Sequence, residues 1–547
     1  MAYMIRTITL AALLLPQSIF SIAQTNVPPA GPAPAPMWIQ LERGESIWSG
    51  VIREGDKLPC PAGYRFDLYG NNRGNQVQPL LLGSRGLWVW SEEPFAFEVA
   101  TDRIIITNAR GEVRHGRAGN SLAGGRKLVA DKFFPASGRM PDELLFAKPQ
   151  YNTWIELTYN QNQEDVLKYA HGILDHGFPP GVLMIDDTWQ EDYGLWNFHP
   201  GRFPNPKQMM DELHRMGFKV MLWVCPFVSP DQAALMRRLM KDKSLLMRKA
   251  SGQTTWKTAT DPAIIKWWNG YSALLDFSNP AAVKWFNGEL DRLARDYGVD
   301  GFKLDAGDMY FCPPDALSME SVSPNRQCEL YARFGLRFPL NEYRACWKMG
   351  GQPLAQRLHD KGHNWADVQQ LIPHMLAAGL AGYTFSCPDL IGGGDYETFL
   401  GRNGLDQDLV LRSAQIHALM PMMQFSVAPW RVLDAAHLSA VKQAVQTRER
   451  FTQTIVDLAR QSAATGEPIV RSLEYVFPHQ GFENIKDQFM LGDSILVAPI
   501  DRKGNTRQVA LPKGKWLGDD GRTLDGGRVY ELSVPLERIP YFRLIND

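Results

Sequence analysis

A short run of residues 298–311, GVDGFKLDAGDMYF, places Lys303 just before Asp305 and Asp308. Its apolar beginning is typical of a buried strand, and Gly307 would let the chain turn between Asp305 and Asp308. Alternate residues of a strand face the same side, so Lys303 and Asp305 are predicted to point the same way. The lysine would then keep Asp305 ionised, as a carboxylate nucleophile or a metal ligand requires.

Acidic, aromatic and basic residues follow several other strand-like runs, such as GVLMIDDTW, KVMLWVCPF and FSCPDLIGG. An acid at a strand end can simply cap the next helix. Several acids meeting beside tryptophan, lysine and arginine are less easily explained as caps. The resulting candidates for a binding site are Asp186, Asp187, Trp189, Trp223, Lys303, Arg344 and Asp389.

Clustered carboxylates suit two kinds of chemistry. Retaining glycoside hydrolysis needs two carboxyl groups, of which one attacks as an anion and the other holds a proton. A metal-dependent hydrolase would also need histidine ligands at the strand ends. His359 and His363 are four residues apart but lie in a predicted loop, and no zinc-binding motif occurs. No metal and no cofactor are therefore expected.

The elements that would position these residues alternate between strand and helix over residues 151–465. The first strand is predicted at 154–158, with a helix beginning near Gln163. Apolar strands alternating with helices over about 300 residues favour a (β/α)8 TIM barrel, in which catalytic groups lie at the carboxyl ends of the strands.

The regions on either side of this segment have short strand and turn signals instead. Residues 37–150 predict an N-terminal β-sandwich without a long helix, and residues 466–547 predict a C-terminal β-sandwich. The chain of 547 residues would thus contain three folded domains.

The amino terminus has the features of an export signal. Residues 1–23 carry one arginine, an apolar run and small residues near a cleavage point, which predicts a signal peptide. Residues 24–36 are rich in proline and alanine and predict a tether. We expect an exported protein, periplasmic or extracellular, without a membrane span.

Net charge bears on the possible binding partners, and cysteine content bears on disulfide formation. The formal net charge of −1 and the absence of a basic run argue against nucleic acid as a partner. Six cysteines in an exported chain permit disulfides. Cys312 and Cys328, in one loop-rich segment, are the best candidate pair, whereas Cys225 and Cys387 lie in apolar runs typical of free thiols.

Several motifs in order resemble glycoside hydrolase family 31. DGFKLDAGD resembles the family's nucleophile strand, with Asp305 as the nucleophile, and LLDFSNPAAVKWF resembles its Asp-Phe-x-Asn-Pro segment. FHPGRFPNPKQMMDELHRMGFKV and QFMLGDSILVAPI resemble further family segments, so the resemblance spans most of the chain. It implies a retaining exo-α-glycosidase acting on an α-linked oligosaccharide or glycoside.

The resemblance also suggests the acid/base. The family's acid/base aspartate usually stands five residues before an aromatic that opens a helix, and Asp360 stands five before Trp365. His359 and Lys361 flank it here, where the family usually has glycine and asparagine. Asp389 matches a separate Asp-Ile-Gly-Gly element that helps to shape the sugar site, and the resemblance implies sugar binding or structural support for it.

One departure from the family bears on the sugar. Gln424 and Ser426 replace an arginine and a histidine common in α-glucosidases and α-xylosidases. Together with MIDDTWQ, this looks more like the α-galactosidase branch, in which Asp186 and Asp187 would bind sugar hydroxyls. Either Trp189 or Trp430 would wall the pocket. The alternatives are an α-glucosidase or α-xylosidase of the same family, or a non-catalytic sugar-binding relative.

Overall fold

The computed structural model describes residues 35–242, 245–401 and 404–545. The predicted signal peptide lies outside the described residues, and so does the predicted tether except for its last two positions. Among the residues described, no helix has both the length and the apolar character needed to cross a membrane.

Eight short parallel strands form the centre of the molecule. In chain order, β1 to β8 are Gln150–Asn152, Val182–Ile185, Lys219–Val224, Gly301–Leu304, Asn341–Tyr343, Gln356–Arg357, Ser386–Cys387 and Gln424–Phe425. Each strand from β1 to β6 pairs with the next, β8 pairs with β1, and a single bridge between Leu390 and Gln424 connects the β7 and β8 ends of the sheet. The predicted TIM barrel is therefore confirmed.

Helices cover the outside of this barrel, and several begin with the signals that their sequences carry. The side chain of Asn279 caps one helix with Pro280 in its first turn, and Gly298 ends that helix at φ 81°. The helices that follow the barrel strands are Trp154–Leu157, Gln163–Asp175, Pro206–Arg215, Ala233–Asp242, Pro280–Tyr297, Pro324–Phe334, Trp365–Val368, Leu371–Leu380, Glu397–Gly401, Gln407–Ala418, Pro429–Val432 and Ala435–Thr465.

The first barrel strand differs from the prediction. Residues 154–158 were expected to form it, but the strand is Gln150–Asn152, and Trp154–Leu157 is a helical turn. The side chain of Asn152 accepts a hydrogen bond from the Trp154 amide, and Ser426 Oγ accepts one from the Ile155 amide. These side-chain acceptors stabilise a turn where the apolar pattern alone favours a strand.

Two antiparallel sheets form the N-terminal β-sandwich. One contains Met37–Gln40, Tyr64–Asp67, Ala96–Val99 and Arg103–Thr107, and the other Ile47–Val51, Gln76–Gly83, Leu87–Ser91 and Val113–Arg117. The predicted absence of a helix here is wrong, since Leu122–Phe133 is helical. Its two glycines lower the helix propensity, but Leu122 and Val129 are completely buried, so packing decides its conformation.

The C-terminal domain consists of short antiparallel strands. Val470–Arg471, Phe489–Leu491, Ile495–Val497, Tyr541–Ile545, Lys515–Gly518 and Thr523–Asp525 form one sheet, and Thr506–Leu511 pairs with Arg528–Ser533. Trp516 and Phe542 of the first sheet share a core with Val509 of the second. The helical turn Leu473–Val476 packs beside them.

Irregular segments and small sheets extend from the barrel. The shorter strands are Gln190–Asp192, Leu195–Phe198, Phe227–Val228, Arg248–Lys249, Ile264–Trp267, Gly270–Leu274, Ala316–Leu317 and Cys346–Trp347. Ile52–Lys57, Met309–Phe311 and Gly335–Arg337 are 3₁₀ turns. The hairpin formed by Ile264–Trp267 and Gly270–Leu274 is important below because its tip reaches the candidate site.

All six cysteines are free and buried, so the predicted Cys312–Cys328 disulfide is wrong. Cys328 lies on the helix Pro324–Phe334 and packs into the core of the N-terminal domain, whereas Cys312 packs into the barrel core. The two cysteines lie in one segment of the sequence but pack into different hydrophobic cores.

Candidate active site

A cavity of about 350 Å³ opens at the carboxyl ends of the barrel strands. Seven of the ten residues predicted from sequence line it: Asp186, Asp187, Trp223, Lys303, Asp305, Arg344 and Asp360. Both predicted catalytic carboxylates therefore face a single cavity.

Asp305 follows directly after β4, and two hydrogen bonds hold its carboxylate. Trp223 Nε1 donates to its Oδ2 at 2.8 Å, and the Ala306 amide donates to its Oδ1 at 2.8 Å. The backbone then turns through Ala306 at φ 55° and Gly307 at φ 73°. A Cβ at position 307 would lie 2.3 Å from Tyr331, so the turn requires glycine for space as well as conformation.

Electrostatics keep Asp305 ionised. Burial raises the pKa of its carboxyl, but Lys303, Arg344 and Arg357 lower it, and the net pKa lies below the ordinary value. Lys303 Nζ lies 3.8 Å from Asp305 Oδ2 and 2.7 Å from Asp186 Oδ2. The lysine two residues before Asp305 does point to the same side.

Asp186 and Asp187 extend this network from the end of β2. Asn152 Nδ2 donates to Asp186 Oδ2 at 2.7 Å beside Lys303. Asp187 accepts four hydrogen bonds, from the Thr188 amide, Gln190 Nε2, Tyr193 Oη and Asn269 Nδ2. Burial, aided by the charge of Asp186, raises the pKa of Asp187 to about 7. Asp187 is therefore closely tied to its neighbours, including the hairpin tip at Asn269.

Asp360 lies in the loop after β6, beside two arginines. Arg357 Nη1 donates to its Oδ1 at 2.5 Å, and Arg344 Nη1 lies 3.8 Å from its Oδ2. Desolvation raises the pKa of Asp360, but Arg357, Arg344 and Lys303 outweigh it and hold that pKa well below its usual range. The side chain is 46% exposed, so solvent screens these charges, but their net effect still favours the anion.

Asp389 does not line the cavity. It is completely buried, and it accepts hydrogen bonds from the Lys361 amide at 2.9 Å and from Arg357 Nη1 at 3.2 Å. Of the two roles predicted for Asp389, these contacts fit structural support, since they hold the loop that carries Asp360.

The two tryptophans expected to wall the pocket lie elsewhere. Trp189 is fully buried and donates its Nε1 proton to the Trp223 carbonyl. Trp430 stacks on His176 and covers Gly172 on the outer helix Gln163–Asp175. Neither reaches the cavity, because each ring fills space between a strand and its covering elements.

The two departures used to choose the sugar also lie outside the cavity lining. Gln424 donates to Gln150 and Glu342 inside the barrel. Ser426 is buried against the turn at Ile155. Gln424 and Ser426 do differ from the usual family residues, but both side chains contact protein and do not line the cavity.

Several residues that line the cavity were not predicted: Trp154, Tyr159, Trp268, Arg357, Leu390, Gly394, Asp395 and Tyr396. Trp268 comes from the hairpin tip, where Asn269-Gly270 is a turn signal that could have been recognised. Arg357 is on a strand of two residues, too short to give any periodic pattern.

The two histidines considered as metal ligands are engaged differently. His363 bonds the Gly392 carbonyl through Nδ1 and the Asp406 amide through Nε2. His359 is buried beside His374, with 5.1 Å between ring centroids. The two rings thus have separate surroundings.

Family models match two parts of this chain. Residues 144–346 match the TIM-barrel domain of glycosyl hydrolases family 31, and residues 466–543 match the C-terminal domain of that family. Together they cover more than half of the chain. The protein belongs to glycoside hydrolase family 31.

Curated relatives extend the match over most of this family 31 chain. The myogenesis-regulating glycosidase of Mus musculus is 34% identical over 440 residues, covering 78% of this chain and 60% of the relative. Alpha-glucosidase 2 of Bacillus thermoamyloliquefaciens is 25% identical, over 82% of this chain and 58% of its own. An alpha-xylosidase of Lactiplantibacillus pentosus is 25% identical, over 84% and 60%. The chain thus spans about 60% of the length of these relatives.

Solved structures share the fold. A Flavobacterium johnsoniae GH31 dextranase complexed with glucose superimposes with a TM-score of 0.80 at 17% identity, covering 93% of this chain and 66% of that one. A cycloalternan-degrading enzyme from Trueperella pyogenes gives 0.78 at 19% identity, over 94% and 78%. The names of these relatives do not support the α-galactosidase branch that the sequence suggested.

Proposed function

We propose that this protein is a retaining exo-α-glycosidase that acts on α-glucosides or α-xylosides. The observation that carries the proposal is that two carboxylates, Asp305 and Asp360, face one cavity from the ends of two barrel strands. The cations around Asp305 favour its anion, as a nucleophile needs.

The reaction would proceed by double displacement. Asp305 attacks the anomeric carbon, the bond to the leaving oxygen breaks, and Asp360 gives its proton to that oxygen. In the second step Asp360 takes a proton from water, the water oxygen attacks the same carbon, and the ester bond to Asp305 breaks. Both carboxyl groups return to their starting states.

The charges around Asp360 suit the second step better than the first. The pKa of Asp360 is low, so its carboxylate must gain a proton as the substrate binds and shields it from water. Once Asp305 is esterified, one negative charge is lost, and this lowers the pKa of Asp360 further, as a general base requires. An acidic pH optimum follows from this arrangement.

The size of the cavity favours attack on a terminal sugar. Its volume of about 350 Å³ lies near the small end of the range for ligand pockets, roughly 300–1,000 Å³. Asp186, Trp223 and Lys303 line it together with the nucleophile. A single sugar ring in this space would leave the rest of the substrate outside.

The relatives' names support glucose or xylose as the bound sugar, since two of them are an alpha-glucosidase and an alpha-xylosidase. An α-galactoside is the second candidate. It depends on the acidic pair Asp186 and Asp187, which line the cavity, whereas Gln424 and Ser426 do not.

The test is a screen of nitrophenyl α-glucoside, α-xyloside and α-galactoside with the wild-type protein and Asp305→Ala. We expect turnover of the glucoside or the xyloside, and a loss of at least about 10⁴-fold in kcat on replacing the nucleophile. Turnover of the galactoside alone would correct the sugar and leave the mechanism in place.

A 5-fluoro glycosyl fluoride of the active sugar tests the covalent step. We expect the intact mass to rise by one glycosyl unit and the label to be found on the peptide that contains Asp305. If the wild type is inert on all three glycosides yet binds sugar, the non-catalytic alternative replaces this proposal.

A further inference from the structure

A loop of the N-terminal β-sandwich reaches the rim of the active site. Asn72, in the connection before the strand Gln76–Gly83, is completely buried. Its Nδ2 donates to the Asn75 carbonyl at 2.9 Å and to Asp308 Oδ1 at 3.2 Å. Its Oδ1 accepts from the Gly74 amide at 3.4 Å. One side chain therefore shapes the loop and contacts the barrel.

Asp308 connects this loop to Arg344. Its side chain has no exposed surface, and its Oδ2 accepts a hydrogen bond from Arg344 Nε at 3.3 Å. The other end of the same guanidinium, Nη1, lies 3.8 Å from Asp360 Oδ2. Arg344 is thus shared between Asp308 and the proposed acid/base.

The same loop also holds the backbone of Arg344. Gln76 Nε2 donates to the Arg344 carbonyl at 2.8 Å, and Asn75 Nδ2 lies 3.5 Å from it. The residues that follow, Cys346 and Trp347, pair in parallel with the strand Gln76–Gly83. The N-terminal domain therefore holds the backbone of Arg344 directly and contacts its side chain through Asp308.

We propose that Asn72 is a positioning residue for the acid/base Asp360, acting through Asp308 and Arg344. The N-terminal β-sandwich would then be part of the active site as well as a packing partner of the barrel. This inference rests on the proposed function, because it assigns a role to Asp360 as proton donor.

The physical reason is the freedom of an arginine side chain. Arg344 has a long, flexible stem, and its donors can turn toward either carboxylate. Burial raises the pKa of Asp308, and the hydrogen bond from Asn72 opposes this while it orients the carboxyl, which in turn holds Arg344 Nε. Without that anchor the guanidinium can turn fully onto Asp360, pinning its carboxylate as an anion and away from the leaving oxygen.

The test compares two substrates of the sugar found active in the screen: the glycosyl fluoride, whose leaving group needs no protonation, and the methyl glycoside, which needs it. We expect Asn72→Ala to lower kcat/KM by about tenfold for the methyl glycoside, and much less for the fluoride. A general loss of folded protein would reduce both equally.

Two further variants complete the experiment. Asn72→Asp keeps the shape and the acceptor for the Gly74 amide but turns a like charge toward Asp308, and the same selective loss is expected. Asn71→Ala, in the same loop, removes only an acceptor for the Arg73 amide and should leave kcat/KM unchanged for both substrates.

The two proposals fail in different ways. If the wild type turns over neither substrate, the proposed function fails. If the wild type is active and both Asn72 variants lose equal activity on the two substrates, or lose none, the positioning role of Asn72 is overturned and the glycosidase proposal stands.

Discussion

Arg357 is the residue that decides the resting charge of the proposed acid/base. Its guanidinium is buried and contacts Asp360, Asp389 and Glu342 at once. Among the cations that lower the pKa of Asp360, Arg357 has the largest effect. One side chain that no sequence pattern revealed therefore sets the ionisation on which the first chemical step depends.

Replacing this arginine should move the pH profile in a predictable direction. Without Arg357 the pKa of Asp360 rises, so the protonated form persists to higher pH. We expect Arg357→Gln to shift the alkaline limb of kcat/KM toward higher pH, measured on the active nitrophenyl glycoside. A limb that stays in place, or moves to lower pH, would mean that Asp360 is not the titrating acid.

An arginine on the surface provides the control for this variant. Arg337 pairs with Asp291, and both side chains are about half exposed. Arg337→Gln should leave the pH profile as it is in the wild type, because an exposed pair far from the cavity lining contributes little.

At the level of elements, the loop after β7 leaves space for the acid/base Asp360 because it has no side chain at three successive positions. Three glycines, at positions 392–394, follow Ile391, and the Gly394 amide donates to the Lys361 carbonyl at 2.9 Å. A Cβ at position 394 would lie 2.7–2.9 Å from Oδ1, Cβ and Cγ of Asp360. Glycine there leaves room for the carboxylate.

We expect Gly394→Ala to displace Asp360 and lower kcat/KM by about 10²-fold, as misplacement of a catalytic group by roughly 1 Å does. The fold should persist, which circular dichroism and thermal unfolding will check. Full activity in this variant would show that the loop moves freely and does not position Asp360.

A second glycine gives the matched comparison. Gly288 lies on the exposed face of the helix Pro280–Tyr297, and a Cβ there would meet nothing within 4 Å. Gly288→Ala should raise the free energy of unfolding by about 0.5–1 kcal/mol and leave kcat/KM unchanged.

At the scale of the whole molecule, buried arginines join the domains. Arg126, on the helix Leu122–Phe133 of the N-terminal domain, is 1% exposed. It donates to the carbonyls of Gly379 and Leu380 at the end of one barrel helix, and to that of Gly466 at the end of another. The Gly379 carbonyl also accepts from the Gly382 amide at 3.2 Å, so one guanidinium supplements the hydrogen bonding at two helix ends.

Removing this arginine should weaken the molecule without altering the chemistry. We expect Arg126→Met to lower the free energy of unfolding by about 3 kcal/mol, since buried carbonyls lose charged donors. Denaturant unfolding measures the loss, and kcat/KM at low temperature should match the wild type. Lys127→Met, beside it on the exposed side, should cost less than about 0.5 kcal/mol; equal losses in the two variants would contradict the role of Arg126.

The predictions that hold are those which rest on local geometry. Lys303 and Asp305 face the same side because side chains alternate along a strand. Gly307 turns the chain because the backbone at this position needs a positive φ. The alternation of strand and helix likewise predicts the barrel, since apolar strands must be covered on their outer face. These conclusions need only near neighbours in the chain.

The predictions that fail depend on packing between distant segments. Trp189 and Trp430 stand near strand ends, but Trp189 is buried under Trp223 and Trp430 packs on an outer helix, so neither lines the cavity. The α-galactosidase branch was inferred from MIDDTWQ together with Gln424 and Ser426; it stays a prediction, but the last two residues contact protein and do not line the cavity.

The amino-acid sequence by itself determined the barrel, the strand-end acids and the resemblance to family 31. Only the tertiary structure decided which side chains reach the cavity, that Arg357 and Arg344 hold Asp360, and that Asn72 joins the site from the N-terminal domain. The reason is that periodicity and turns are set by adjacent residues. A cavity, in contrast, is bounded by loops far apart in the chain, whose approach depends on the packing of complete domains.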